Sequence, residues 1–287
     1  MPMDEHKRFN QLSWNEAVQI HMDSDGYGLR EFLEERKNKL HQRDIDEMGD
    51  VSGKSLLHLQ CHFGMDTLSW AMLGATVTGI DFSPPATEAA RGIAAELGFD
   101  DARFIESELL DAPSALDEQF DRAYTGIGAL NWLPDIRGWA RVVPHFLKPG
   151  GVFYITEGHP MLWTIDDERD GQELVVALPY FERDEPNRWD DPADYADPNA
   201  RMENSVVYEW SHGLGEIVTA LIDAGLTIEF VHEHRTLYWR ALRWMESVQG
   251  ANEWSLLDEW RLPEGRGDDV PLMYSIRAHK APASGGS

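Results

Sequence analysis

The sequence has little cysteine, little lysine and no long hydrophobic run. A single cysteine, Cys61, among 287 residues excludes an internal disulfide. No stretch approaches the ~18 apolar residues that span a bilayer. The start, Met1-Pro2-Met3-Asp4-Glu5-His6-Lys7, carries no apolar segment like that of a secretory signal, so a cytoplasmic location is expected. Positive charge is scarce: 25 Lys+Arg face 51 Asp+Glu, a net charge of −26. Contacts to phosphate backbones and anionic membranes come mainly from Lys and Arg, so nucleic acid and membrane surfaces are excluded as expected partners. Only six of the basic residues are Lys. Salt adaptation and a GC-rich genome both produce that bias, which describes solubility rather than function.

What is present is an ordinary globular balance, 42% hydrophobic and 26% charged. A chain of this length buries about 75% of its unfolded surface without staples. Residues 1–50 read as helical and polar, with Phe32, Leu33, Leu40, Ile45 and Met48 at loosely helical spacing. Strand and helix then alternate. Strands are expected at 55–59, 75–80, 103–106, 120–125 and 152–156, and helices at 65–73, 83–97 and 135–147. Ser83-Pro84-Pro85 is a helix start, with a capping serine and proline in the first turn. This alternation implies βαβ units, a parallel sheet and right-handed crossovers. The rhythm breaks over 158–210, a Pro-, Asp-, Tyr- and Trp-rich stretch too long for an ordinary loop and read as an insertion or lid. A helix over 211–224 and a strand over 226–233 follow. After a segment with Trp239, Trp244, Trp254 and Trp260 come a last strand over 270–279 and a flexible tail, 281–287.

Open parallel sheets bind ligands beyond the carboxyl ends of their strands, at the switch point. The first such loop is Gln60-Cys61-His62-Phe63-Gly64, and the second strand ends at Asp81, 17 residues past Gly64. A carboxylate there suits a ribose diol, since both hydroxyls can donate to it. A nicotinamide cofactor would call for G-x-G-x-x-G to seat a pyrophosphate; one glycine suits a nucleoside without phosphates better.

Here the sequence resembles the class I S-adenosylmethionine-dependent methyltransferases. Leu56-Leu57-His58-Leu59-Gln60-Cys61-His62-Phe63-Gly64 aligns with their first motif, hydrophobic-hydrophobic-acid-hydrophobic-G-x-G-x-G. Ile80-Asp81-Phe82-Ser83 resembles the second motif and Phe104-Ile105-Glu106-Ser107-Glu108 the third. Phe120-Asp121 to Trp132 resembles the fourth-strand motif, and Leu147-Lys148-Pro149-Gly150-Gly151 matches the turn before the fifth strand. Residues 50–160 carry the likeness, with 211–280 as its continuation. His58 stands for the usual acid, and Gln60 and His62 stand for the first two glycines, so both are expected to do without the backbone freedom of glycine.

The resemblance implies an α/β fold: a Rossmann-like seven-stranded, mostly parallel sheet (51–280) with an N-terminal helical cap (1–50) and a substrate lid (158–210) inserted after the fifth strand. It implies S-adenosylmethionine as cofactor and a small-molecule acceptor. Asp81 would hold the ribose, Phe82 would pack beside the adenine, and Glu108 would accept from the adenine amino group. Gln60, Cys61, His62, Gly64, Leu109, Thr125 and Tyr27 complete the expected cofactor site. Trp132, Trp163, Tyr180, Tyr208 and Trp14 are the expected acceptor-binding residues, with Trp14, His21 and Tyr27 folding over the cofactor. His159, just past the fifth strand, and His212, expected in the first turn of the following helix, are the candidate bases. Trp210 would share a strand face with Tyr208. Cys61-His62 lacks a second pair of ligands and His232/His234 read as surface histidines, so no metal site is expected. A non-catalytic cofactor- or partner-binding role and a nicotinamide oxidoreductase are the alternatives.

Overall fold

The computed structural model describes residues 3–197, 199–250 and 257–283; Trp254 and the last four residues of the tail lie outside them. Three helices open the chain: α1 (Met3–Asp23), α2 (Leu29–Glu35) and α3 (Gln42–Met48). The alternating region follows as β1 (Ser55–Leu59), α4 (Met65–Met72), β2 (Thr76–Asp81), α5 (Pro84–Leu97), β3 (Arg103–Glu106), a short α6 (Ala112–Ala115), β4 (Phe120–Thr125), α7 (Ile136–Phe146) and β5 (Leu147–Gly158). The insertion carries a hairpin, β6 (Asn187–Asp190) and β7 (Val206–Glu209). The chain then continues through α8 (Leu214–Asp223), β8 (Leu226–His234), a small sheet of β9 (Thr236–Leu237), β10 (Glu246–Ser247) and β11 (Trp260–Arg261), and β12 (Met273–Lys280).

The main sheet has seven strands in the order β3-β2-β1-β4-β5-β12-β8. The first five are parallel, and β12 runs antiparallel to both β5 and β8. Leu56, Leu57 and Leu59 of β1 are fully buried, as a central strand covered on both faces requires. One face packs on α7 and α8 through Trp139, Val143, Phe146 and Leu221. The other packs on the N-terminal helices, α4 and α5 through Phe32, Phe63, Leu68, Met48 and Trp70. Helix starts follow the sequence signals. The Ser83 hydroxyl accepts from Ala86 N–H (3.3 Å), and Asp135 accepts from Gly138 N–H (2.7 Å).

Three elements have a boundary more than one residue from the sequence reading. β5 takes in the Lys148–Gly151 turn and runs from Leu147 to Gly158, because Leu147 already pairs with Phe120 across a bulge. β12 begins at Met273 rather than 270. α8 begins at Leu214, not Ser211: the Tyr180 ring packs against Gly213, which stays extended as the cap, so His212 precedes the helix.

α1 lies across the carboxyl edge of the sheet. The Asn10 amide makes a two-way pair with the Tyr208 backbone (2.8 Å each way), Gln11 donates to the Phe82 carbonyl (2.6 Å), and Lys7 meets Glu108 (2.7 Å). One helix therefore touches the β2 and β3 loops and the inserted hairpin.

Candidate active site

The loop after β1 sets the site. Gln60, His62 and Gly64 all have positive φ (61°, 50° and 81°), the values that the three glycines of the resembling motif would supply. Gln60 and His62 thus adopt the glycine conformation rather than doing without it, at a cost of roughly 1–2 kcal/mol each. Gly64 is a close approach as well: a Cβ there would lie 2.7 Å from the Phe104 ring and 2.9 Å from Ala90. The strained turn aims the His62 N–H at Asp81 Oδ2 (2.7 Å), while Ser83 N–H donates to Oδ1 (2.9 Å). Burial pushes the Asp81 carboxyl up to about 6, against the pull of those amides. Each oxygen keeps a lone pair for a further donor.

Three cavities follow one another along this edge. A small one, about 100 Å³, lies between Asp81, Phe82, Glu108, Leu109 and α1. It shares Trp14, Gln60 and Trp132 with a chamber of about 470 Å³ at the ends of β1 and β4. That chamber shares Asn131, Trp163, Glu209 and Trp239 with a third cavity, about 530 Å³, beneath the insertion. Trp14 meets Trp132 edge-on (5.3 Å), and Trp163 stacks on Trp239 (5.4 Å). At the junction of the first two cavities Gln60 donates its Nε2 to the Ala129 carbonyl (2.9 Å), leaving Oε1 buried with no donor.

The chamber wall is ionisable. Its His58 is held near 3 by burial and bonds Thr67 through Nδ1 (2.8 Å). Asp66 takes the Tyr124 hydroxyl and is pushed by burial to about 6. Asp44, with the Tyr154 hydroxyl 2.8 Å away, is pushed by burial to about 7. His62 also lines the chamber. Its Nε2 lies 2.9 Å from His21 Nδ1, and His21 Nε2 lies 3.1 Å from Asp194 Oδ2. The carboxylate accepts the Nε2–H of His21. In the tautomer in which His21 Nδ1 accepts from His62 Nε2–H, His62 Nδ1 carries the lone pair. Burial, and then the neighbouring His21, hold the His62 imidazole well below its ordinary value and keep it neutral.

Most expected site residues meet at these cavities. Gln60, Cys61, His62, Gly64, Tyr27, Trp14, Trp132 and Trp163 line the chamber, and Tyr180 and His212 line the third cavity. Tyr27 stacks on His21 (4.8 Å) and its hydroxyl bonds that of Tyr195. Others are placed differently. His159 lines none of the three cavities: Nδ1 accepts from Met161 N–H (3.0 Å) and Nε2 lies 3.1 Å from Glu233, so the ring fastens the turn after β5. Glu108 lines the small cavity with Lys7 on Oε1 (2.7 Å) and Leu110 N–H on Oε2 (2.7 Å), so, as at Asp81, each oxygen keeps a further lone pair. Tyr208 is buried against His6 (4.2 Å) and packs α1 rather than an acceptor. Thr125 is fully buried beneath the chamber floor and lines none of the cavities. Cys61 fits its thiol against Gly79.

Sequence reasoning missed Asp44, Asp66, Tyr124 and Asp194, and also Glu157. The Glu157 carboxylate collects the N–H groups of Gly128, Ala129 and Gly158 (2.8, 2.9 and 2.7 Å) and shapes the loop after β4. The acid at the carboxyl end of β5 was a usable signal for Glu157. Asp194 sits in an acidic, patternless insertion and gave none.

Residues 57–153 match a family model described as a methyltransferase domain. An uncharacterized methyltransferase of Synechocystis sp. is 28% identical over 129 residues, 44% of this chain and 58% of that protein. A ubiquinone biosynthesis O-methyltransferase of Pseudomonas syringae pv. tomato is 35% identical over 121 residues, 42% of this chain and 51% of that protein. The chain thus spans just over half the length of these curated relatives. A structure described as a putative S-adenosylmethionine-dependent methyltransferase from Listeria monocytogenes superposes with a TM-score of 0.56 at 18% identity, over 88% of this chain and 99% of that one. Residues 57–153 are thus similar to a methyltransferase domain, and the seven-stranded sheet has the fold of the Listeria structure.

Proposed function

We propose that the protein transfers a methyl group from S-adenosylmethionine to a small-molecule acceptor held in the chamber. The observation that carries this reading is the continuity of the cavities: the cleft at Asp81 opens past the unpaired Gln60 Oε1 into a chamber walled by tryptophans. When bound, the cofactor supplies an electrophilic methyl on sulfur. Asp81 has lone pairs left for the ribose hydroxyls, Phe82 and Leu109 flank the adenine, and Gln60 Oε1 accepts from an N–H donor of the amino-acid end. The rings of Trp14, Trp132 and Trp163 exclude water and fix the acceptor's orientation.

The relatives named for O-methylation favour a hydroxyl acceptor, and such a group needs a base. We assign it to His62 Nδ1 in place of His159 and His212, with His21 and Asp194 fixing its tautomer. In this reading residues 1–50 are a cap, 51–280 the catalytic domain and 158–210 the lid. No described helix is long and apolar enough to cross a membrane. That fact and the net charge of −26 support a cytoplasmic protein without nucleic-acid partners.

The test is calorimetric titration with S-adenosylhomocysteine, with NADH as control, at low and high salt. Binding of S-adenosylhomocysteine alone is expected. Asp81→Ala removes charge-assisted hydrogen bonds of about 1.5–3 kcal/mol and weakens it roughly 10- to 100-fold. Silence at both salts would sink the proposal and leave a binding role on the same fold.

A further inference from the structure

Away from the chamber, Glu182 of the insertion, His212 and Glu216 of the first turn of α8 present three ligand atoms within 4.8 Å of one another. The imidazole decides how this cluster reads. His212 Nε2 lies 2.7 Å from the Leu133 carbonyl, which can only accept, so the ring proton is on Nε2 and Nδ1 is a bare lone pair. The side chain is 2% exposed, and Nδ1 is buried without a hydrogen-bond partner. It faces Glu216 Oε2 at 3.9 Å. A buried lone pair turned toward carboxylates is unfavourable unless a proton or a metal ion lies between them. The neighbouring cation, Arg137, is drawn to Asp223 instead (3.3 Å).

We propose that Glu182, His212 and Glu216 bind one divalent first-row transition-metal ion, with zinc as the fitting case. Imidazole nitrogen with two carboxylates suits zinc, manganese or cobalt better than calcium or magnesium. An imidazole whose second nitrogen donates to a backbone carbonyl is the usual outer arrangement of a metal-bound histidine. Metal–ligand lengths of about 2.0–2.2 Å allow donor atoms to lie up to about 4 Å apart, so the observed spacing needs little movement, and Glu182 is exposed with its carboxyl already hydrogen-bonded to that of Glu216. The frame is rigid: the Tyr180 ring packs on Gly213 and its hydroxyl accepts from Leu214 N–H (3.1 Å), holding the loop with Glu182 beside the turn with His212. The ion would rivet the insertion to α8 at the wall of the third cavity.

The experiment is titration of chelator-treated, full-length protein with Co²⁺, followed by visible absorption, with Zn²⁺ competition and thermal unfolding with and without Zn²⁺. One equivalent of Co²⁺ with d–d bands is expected, displaced by Zn²⁺, together with a rise in Tm on adding Zn²⁺. Glu182→Gln is exposed, so folding does not depend on it. It should weaken Co²⁺ at least tenfold and abolish the rise in Tm; Glu216→Gln should do the same. Co²⁺ bound by Glu182→Gln with unchanged affinity and spectrum would overturn the site, because the ion would then sit elsewhere. So would the absence of stoichiometric binding by the unsubstituted protein.

Discussion

The two ends of the cleft are built on different plans. At the Asp81 end, the groups that matter lie in short loops after β1, β2 and β3, and backbone geometry does the work: three positive φ values, two amides on one carboxylate, a close approach at Gly64. At the chamber end, side chains from distant segments meet. Asp44 reaches Tyr154, 110 residues away, and His21 reaches Asp194, 173 residues away. The first plan tolerates little change at few positions. The second spreads the work over many, each replaceable at a smaller cost.

The largest effect should come from Gly64→Ala. A left-handed Ala costs about 1–2 kcal/mol, and overpacking against Phe104 and Ala90 adds about 1–3. Thermal unfolding should fall by roughly 5–15 °C. A Tm within 2 °C of the parent would mean that the loop is not the rigid element described here.

At the chamber end the sharper test is pH. Asp44 titrates at about 7 when folded and 3.8 in the ordinary state, so the folded protein holds the extra proton between those values. Its contribution therefore weakens as pH rises from about 4 to about 7, by up to about 1.4 kcal/mol per pH unit. Asp44→Asn removes that slope, and the gap in Tm between substituted and parent protein should grow in favour of Asn as pH rises from 5 to 7.5. A constant gap would show that Asp44 ionises normally.

Gln60→Gly separates backbone from side chain at the junction. Glycine suits φ 61° and relieves strain, yet the Oε1 acceptor is lost. Affinity for S-adenosylhomocysteine should fall about 5- to 10-fold, the value of one hydrogen bond of about 1 kcal/mol, although the protein unfolds no earlier. Unchanged affinity would reduce Gln60 to a turn residue. The smallest change should be Lys7→Ala. Its ion pair with Glu108 is partly exposed, so calorimetry should register less than a threefold loss.

Legibility in the sequence follows the same division. The strands from Ser55 to Ile155 declare themselves as short apolar and β-branched runs alternating with helices, and Asp81 and Gly64 because a turn and a carboxylate at a strand end have local causes. The positive φ of Gln60 and His62 was hidden, since neither residue prefers it; tertiary contacts impose it. His159 and His212 stood at the right edge of the sheet, but strand position does not fix the direction of a ring, and a carbonyl or an amide claimed each one. Asp44 and Asp194 lie in segments without periodicity, and only the folded chain gives them partners.

α1 joins the two ends. It grips the Phe82 carbonyl and Glu108 on one side and the Tyr208 backbone on the other. In thermodynamic terms this makes the helix a shared account between two ligands. Whatever ligand holds it closed at one end lowers the ordering entropy left for the other, and linkage requires the same factor in both directions. Occupancy of the Asp81 cleft and of the chamber is thereby coupled through α1, in addition to Trp14, Gln60 and Trp132, which line both.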